Sequence, residues 1–311
     1  MKIGDLIKFK GTWGDSVTPG ERRTGIVMQV WTNGWSGRIQ GADICGRIIG
    51  VGAGVDPARI GERVLVQTMQ PLRDAAQITC MTIGSEYDGG FAQYAVAKSE
   101  FTFAVNCDWS DAELATIPCA YSTAENMLER ANVKMETILV TGASGGVGSA
   151  AVQLAKRRGA RVIAVASAGK QQEVMELGAD QVIDREANIM DVLSIETIDV
   201  IVDLVAGPSW PSLLEVLKRG GRYITAGAIA GPIVEMDVRT LYLKDLTLLG
   251  ATYQDDEIFP NLISYIETGE ICSTLAATYQ LSDIARAQED FLAKKHTGKL
   301  VLLPPKIGDK V

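Results

Sequence analysis

Apolar residues in the middle of the chain come in short runs, separated by stretches where they recur every three or four positions. The runs cover residues 137–141, 161–165, 181–183, 199–205, 222–226 and 247–250. Helical spacing fills 149–158, 170–177 and 211–218 between them. Strands that are apolar throughout are buried on both faces, and crossover helices are what cover both faces. The pattern predicts an α/β fold, a doubly wound parallel sheet.

The flanks are patterned differently. Residues 44–51, 63–67, 90–97 and 101–105 are short β-type runs between glycines and turns, without helical spacing. Helical patterns return at 258–267 and 284–293, and a strand at 299–303 closes the chain. A β-rich domain built from both chain ends is expected beside the α/β unit. The expected divisions are an opening segment 1–36, a β-rich domain 37–119, a nucleotide domain 120–252 and a return to the β-rich domain over 253–311.

The first run ends in Gly142-Ala143-Ser144-Gly145-Gly146-Val147-Gly148, and a helix-patterned stretch follows at once. Glycines at a strand-to-helix turn let the backbone approach a pyrophosphate, whose charge then rests on the helix N-terminus. Gly142, Ser144, Gly145, Gly146, Val147 and Gly148 are therefore candidate cofactor-binding residues, with the flanking strand and helix that such a motif requires.

Composition narrows the rest. With 47% hydrophobic and 22% charged residues, the 311-residue chain reads as an ordinary globular protein long enough for two domains. A net charge of −8 without basic runs argues against nucleic acid or an anionic membrane as partner. No apolar run approaches the roughly 20 residues that span a bilayer. Met1-Lys2-Ile3-Gly4-Asp5 has no signal-peptide core, so the cytoplasm is expected. The five scattered cysteines suit free thiols, and with His296 as the single histidine the inventory of metal ligands is poor.

The residue ending the second strand of such a sheet faces the adenosine ribose, where a carboxylate would bind the 2′-hydroxyl and repel a 2′-phosphate. Here the strand ends Val165-Ala166-Ser167-Ala168-Gly169-Lys170, with no carboxylate. Ser167 and Lys170, with Arg185 after the third strand, point to NADP(H). Lys170 also reads simply as the start of an exposed helix.

Several motifs fall in an order that resembles the medium-chain dehydrogenase/reductase superfamily. They are Gly41-Ala42-Asp43-Ile44-Cys45-Gly46, Gly61-Glu62-Arg63-Val64, Asp88-Gly89-Gly90-Phe91-Ala92-Gln93-Tyr94, Pro118-Cys119-Ala120-Tyr121-Ser122-Thr123-Ala124 and Gly298-Lys299-Leu300-Val301-Leu302. The resemblance implies a GroES-like catalytic domain beside a Rossmann domain, with hydride transfer in the cleft between them. Zinc-dependent members carry Gly-His-Glu where this chain has Gly41-Ala42-Asp43. Cys119 resembles another of their ligands, or is a small buried core residue. The chain thus resembles the zinc-independent, quinone-oxidoreductase-like branch, with no metal site expected. Tyr121 and Ser122 become candidate donors to developing oxyanion charge, although Tyr121 also reads as a core aromatic. Thr123 resembles the residue packed on the nicotinamide. Ala226, Gly227 and Gly250 resemble the positions whose backbone holds the carboxamide. His296 reads as a surface residue, and Asp203 as one that shapes the end of its strand.

The opening segment departs from that family. Residues 4–10 and 24–31 read as strands, Trp13, Trp31 and Trp35 cluster there, and the piece resembles part of a small SH3-like barrel. Either it replaces the usual opening strands, leaving sheet edges exposed, or it substitutes for them structurally. The expected function is an NADPH-dependent, zinc-independent oxidoreductase that transfers hydride to a quinone, enone or related carbonyl, acting as a homodimer. The alternatives are a dinucleotide-binding protein with little catalysis, and a zinc-dependent alcohol dehydrogenase.

Overall fold

The computed structural model describes residues 38–72 and 79–305, with the backbone of one strand, β1 (Ile26–Gln29), before them. The expected strand over 4–10 and the three clustered tryptophans lie outside the described residues.

β1 belongs to a five-stranded sheet with β2 (Ile44–Val51), β3 (Arg63–Val66), β6 (Tyr94–Ala97) and β7 (Thr102–Ala104), in the order β6-β1-β2-β3-β7. All its pairings are antiparallel. β1 hydrogen-bonds on both sides, so the sheet is continuous at the place that the unusual opening segment put in question. Ile44, Ile48, Val64 and Val66 turn one face of this sheet into a core with Ile83 and Ala92. A hairpin of β4 (Met69–Leu72) and β5 (Thr79–Thr82) stands apart; neither strand shows an apolar alternation long enough to be read from sequence.

The second sheet holds six parallel strands: β8 (Thr137–Val140), β9 (Arg161–Ala166), β10 (Gln181–Asp184), β11 (Ile198–Asp203), β12 (Leu217–Thr225) and β13 (Thr247–Gly250). Their spatial order, β10-β9-β8-β11-β12-β13, reverses direction between β8 and β11. Because successive side chains on a strand face opposite ways, the same strands feed two separate cores. Ile138, Val140, Val200 and Val202 pack on one face, while Leu139, Ile163 and Ile201 pack on the other. This is why these runs read as uniformly apolar.

The helix Pro118–Arg130 joins the two halves. Pro occupies its first turn, where no intrahelical donor is lost. Every residue from Ala120 to Leu128 is buried. Among them is Glu125, whose carboxylate takes two hydrogen bonds from Arg158, at 2.8 and 2.7 Å. The expected division after residue 119 falls inside this helix. At the C-terminal end, β14 (Leu275–Gln280) and β15 (Lys299–Leu303) run parallel. Just before β15, Gly298 bridges to Gly145, so the chain's end docks on the glycine turn.

Candidate active site

All six parallel strands point their carboxyl ends to one edge, and the reversal between β8 and β11 opens a crevice there, the usual place for a ligand in an open α/β sheet. The glycine turn occupies this crevice. Gly142 has φ +60°, a conformation L side chains rarely adopt. A Cβ on Gly148 would lie 2.2 Å from the Gly142 oxygen, so only glycine lets the helix Gly146–Arg157 start this close to β8. That helix begins three residues earlier than its apolar spacing predicts, because the glycines themselves form its first turn. Its N-cap, Gly145, offers no side-chain cap. No side chain thus competes for the N–H groups of Val147 and Gly148, where the helix dipole favours an anion. A cradle that a single Cβ would fill fits a dinucleotide pyrophosphate.

The tip of β9 follows. Arg185 N–H donates to Ala166 O at 2.9 Å, which brings Arg185 beside Ser167 as the sequence suggests. Ser167 makes no side-chain cap bond to the turn that it starts. Lys170 is placed differently from a free phosphate ligand. Its Nζ donates to the carbonyls of Lys294 (2.8 Å) and His296 (2.5 Å), tying the C-terminal turn to the β9 tip. Burial pulls the Lys170 ammonium below the usual lysine value; Glu173 opposes this, while Arg185 and Lys294 add to it. Burial, with Lys170 and Lys294, likewise lowers His296. Cationic groups thus gather at a tip that carries no carboxylate of its own, although Glu186 pairs with Arg185 at 2.8 Å.

At the other end of the crevice, Ala226, Gly227 and Gly250 line a cavity of about 470 Å³ with Thr225, Ala228, Ala251 and Thr252. Between the two ends, Asp203 is fully buried at the end of β11. It accepts from Thr141 Oγ1, from Tyr223 OH at 2.5 Å and from the N–H groups of Val205 and Ala206. A carboxylate with so many donors holds the 204–207 loop. In this loop Ala206 has φ +53°.

The structure does not bring Tyr121 and Ser122 to the donor roles expected of them. Both are fully buried in the helix Pro118–Arg130. Tyr121 OH donates to Cys272 O at 2.5 Å and accepts from Gln153 Nε2 at 2.8 Å, while burial pushes the phenol well up. Ser122 Oγ accepts from Gln254 Nε2 at 2.9 Å. Hydroxyls sealed from solvent and fully engaged hold the seam between the halves. Sequence spacing could not show this, because Gln153, Gln254 and Cys272 arrive from distant segments. Thr123 is 9% exposed and lies one turn after Cys119 on the same helix.

One feature of the site was not legible as such. Asp43 Oδ2 accepts from Lys299 Nζ at 2.7 Å, and Asp43 Oδ1 from the Cys119 N–H at 2.6 Å. The two charged residues stand 256 positions apart, so nothing local pairs them. The Cys119 thiol is pushed up to about 11 by burial, then by Asp43. Ala42 carries no donor, and both oxygens of Asp43 are engaged, by Lys299 Nζ and by the Cys119 N–H. Among the described residues no group of three His, Cys, Asp or Glu could hold a metal ion. These residues do not fit a zinc ion.

Residues 16–106 match the alcohol dehydrogenase GroES-like domain, and residues 146–268 match the zinc-binding dehydrogenase family. Over 85% of the chain and 82% of the relative, the sequence is 31% identical to acryloyl-coenzyme A reductase of Metallosphaera sedula. The chain belongs to the medium-chain dehydrogenase/reductase superfamily. Quinone oxidoreductase of Sus scrofa is also 31% identical, over 85% of this chain and 79% of its own. A putative alcohol dehydrogenase from Sinorhizobium meliloti superposes with a TM-score of 0.84 at 40% identity, covering 94% of this chain and 91% of its own. This medium-chain dehydrogenase/reductase is accordingly an NAD(P)H-dependent oxidoreductase, with a GroES-like domain and a Rossmann sheet. Small molecules are the substrates of such relatives. No described helix is long and apolar enough to cross a membrane.

Proposed function

We propose that this oxidoreductase uses NADPH to reduce a carbonyl-conjugated double bond or a quinone, without zinc. The observation that carries the reading is the engaged Asp43–Cys119 site, where Lys299 stands as the cation and no free donor set remains. Relatives named for quinone and acryloyl-CoA reduction support the choice of acceptor. When bound, the nicotinamide supplies a hydride equivalent. The chain's own residues do the rest. The Gly145–Gly148 turn holds the pyrophosphate with backbone N–H groups. Ser167 and Arg185 meet the 2′-phosphate, and the Lys170 ammonium adds charge from its anchored position. Thr123 lies against the nicotinamide, and the backbone of Ala226, Gly227 and Gly250 meets its carboxamide. Positioning of the acceptor over this face supplies the acceleration. With Tyr121 and Ser122 sealed, water supplies the proton.

The exposed edge strand β13, with Leu248, Ile233, Tyr242 and Leu243 exposed around it, supports a homodimer that pairs Rossmann sheets. Five free thiols suit a reducing compartment, the cytoplasm.

The test is a steady-state screen of 1,4-benzoquinone, an enone and an acryloyl thioester with NADPH and NADH, with and without chelator. Turnover with NADPH that resists chelation is the expected result. Turnover that is abolished by chelator and restored by zinc overturns the reading.

A further inference from the structure

The Asp43–Lys299 pair reaches further than the two residues it joins. Asp43 sits just before β2 in the GroES-like half, and its second oxygen takes the backbone N–H of Cys119 at the start of the helix that carries Thr123. Lys299 begins β15, and its stem lies across the cofactor turn: a Cβ on Gly146 would meet Lys299 Cδ at 2.7 Å. The residue before it, Gly298, donates its N–H to Ser144 O at 3.0 Å. Gly298 has φ +84°, and a Cβ there would lie 2.1 Å from Thr274 O, so this docking admits no other residue. One ion pair therefore meets the substrate half, the nicotinamide-side helix and the pyrophosphate turn at once.

The Lys299 side chain is 24% exposed and that of Asp43 18%, so neither charge is well screened by water. Burial alone would pull the ammonium down. Asp43 more than offsets it, and Lys299 is held above the ordinary lysine value, charged throughout the neutral range.

We propose that Asp43 and Lys299 are positioning residues for hydride transfer: their ion pair sets the register of the substrate half against the dinucleotide turn. The proposal rests on the oxidoreductase reading. It predicts an effect on the chemical step larger than on cofactor affinity, since the pyrophosphate donors are backbone groups of the turn itself. A displacement of about 1 Å between reacting atoms is enough to cost as much as a hundredfold in rate.

The experiment compares wild type with Lys299→Met, Asp43→Asn, the double variant and Lys299→Arg. Two readouts are used: amide hydrogen exchange across residues 141–149 and 298 in the ligand-free protein, and kcat, KM and NADPH affinity. Faster exchange at the turn in both single variants, with melting otherwise cooperative, is expected whatever the acceptor. With an active wild type, kcat should fall at least about tenfold in each single variant, and NADPH affinity should change less than about threefold, about 0.7 kcal/mol. The double variant should be no slower than the worse single one, as for two residues acting as a unit, and Lys299→Arg should recover part of kcat. Unchanged exchange in the single variants overturns the proposal, even if wild type proves inactive and only the functional reading fails. So do multiplying losses in the double variant, or a loss confined to NADPH affinity.

Discussion

Replacing Gly148 by alanine tests the cofactor cradle most directly. The new methyl would sit 2.2 Å from Gly142 O, 2.7 Å from Ala143 Cα and 2.8 Å from Gly142 C. All three are backbone atoms, so no rotamer relieves the clash. Restoring an ordinary contact requires the helix start to retreat from β8 by about 1 Å, against a closely packed interior. Overpacking of this kind costs about 1–3 kcal/mol, and the thermal midpoint should fall on the order of 5 °C. Binding should suffer more than stability, because the displaced turn is the one proposed to present donors to the pyrophosphate. Titration of NADPH fluorescence should show affinity weakened by roughly tenfold or more, each tenfold being 1.4 kcal/mol. Gly169→Ala is the control for stability: nothing lies within 4 Å of its Cβ position, and its melting should match wild type or exceed it slightly. If Gly148→Ala melts like wild type and binds NADPH within twofold of it, the cradle argument is refuted.

Three further outcomes are expected. Ser167→Asp places a carboxylate where the 2′-phosphate is proposed to rest; at ~4 Å and an effective dielectric near 20 the repulsion is about 4 kcal/mol, so fluorescence titration should show NADPH binding weakened by at least a hundredfold and NADH binding little changed. Lys244 Nζ donates to Leu214, Glu215 and Leu217 carbonyls at 3.1, 2.8 and 3.0 Å, closing the C-terminal end of the helix Trp210–Val216; Lys244→Met strands these acceptors and should cost about 3 kcal/mol in denaturant unfolding. His296 is lowered below its ordinary 6.5 by burial and by Lys170 and Lys294, so the unfolded chain binds more protons in that interval. Stability therefore rises with pH from the folded value to 6.5 and is lost on acidification through that window. Melting curves of His296→Asn should lose less stability than wild type over the same window, and an identical loss in both would sink the argument.

Legibility divided along physical lines. Strands β8, β9 and β11 could be read because burial on both faces writes a nearly continuous apolar run. The glycine turn could be read because its steric demand is local, falling on Gly142 and Gly148 within one strand-to-helix connection. The helix Pro118–Arg130 was legible only as a motif: buried almost all round, it shows no amphipathic stripe to mark it as a helix. Tyr121 shows the limit most clearly. Its place in the chain suggests a donor at the cofactor, whereas its surroundings, Gln153 and Cys272, make it a seam residue. Lys170 was read as a phosphate ligand from charge and position, but the turn that claims its ammonium comes from residues 294–296.

The sequence by itself determined the kind of fold, the glycine turn proposed to hold a dinucleotide and the poverty of metal ligands, since each of these is a matter of residue type within a short window. Tertiary structure alone decided which polar groups are free to act. Desolvation and hydrogen bonding depend on neighbours that folding brings from far along the chain. The same serine, tyrosine, aspartate or lysine can be a catalyst in water or a clasp once buried. Asp43 and Lys299, 256 residues apart and 2.7 Å from each other, became a pair only when the two halves closed around the glycine turn.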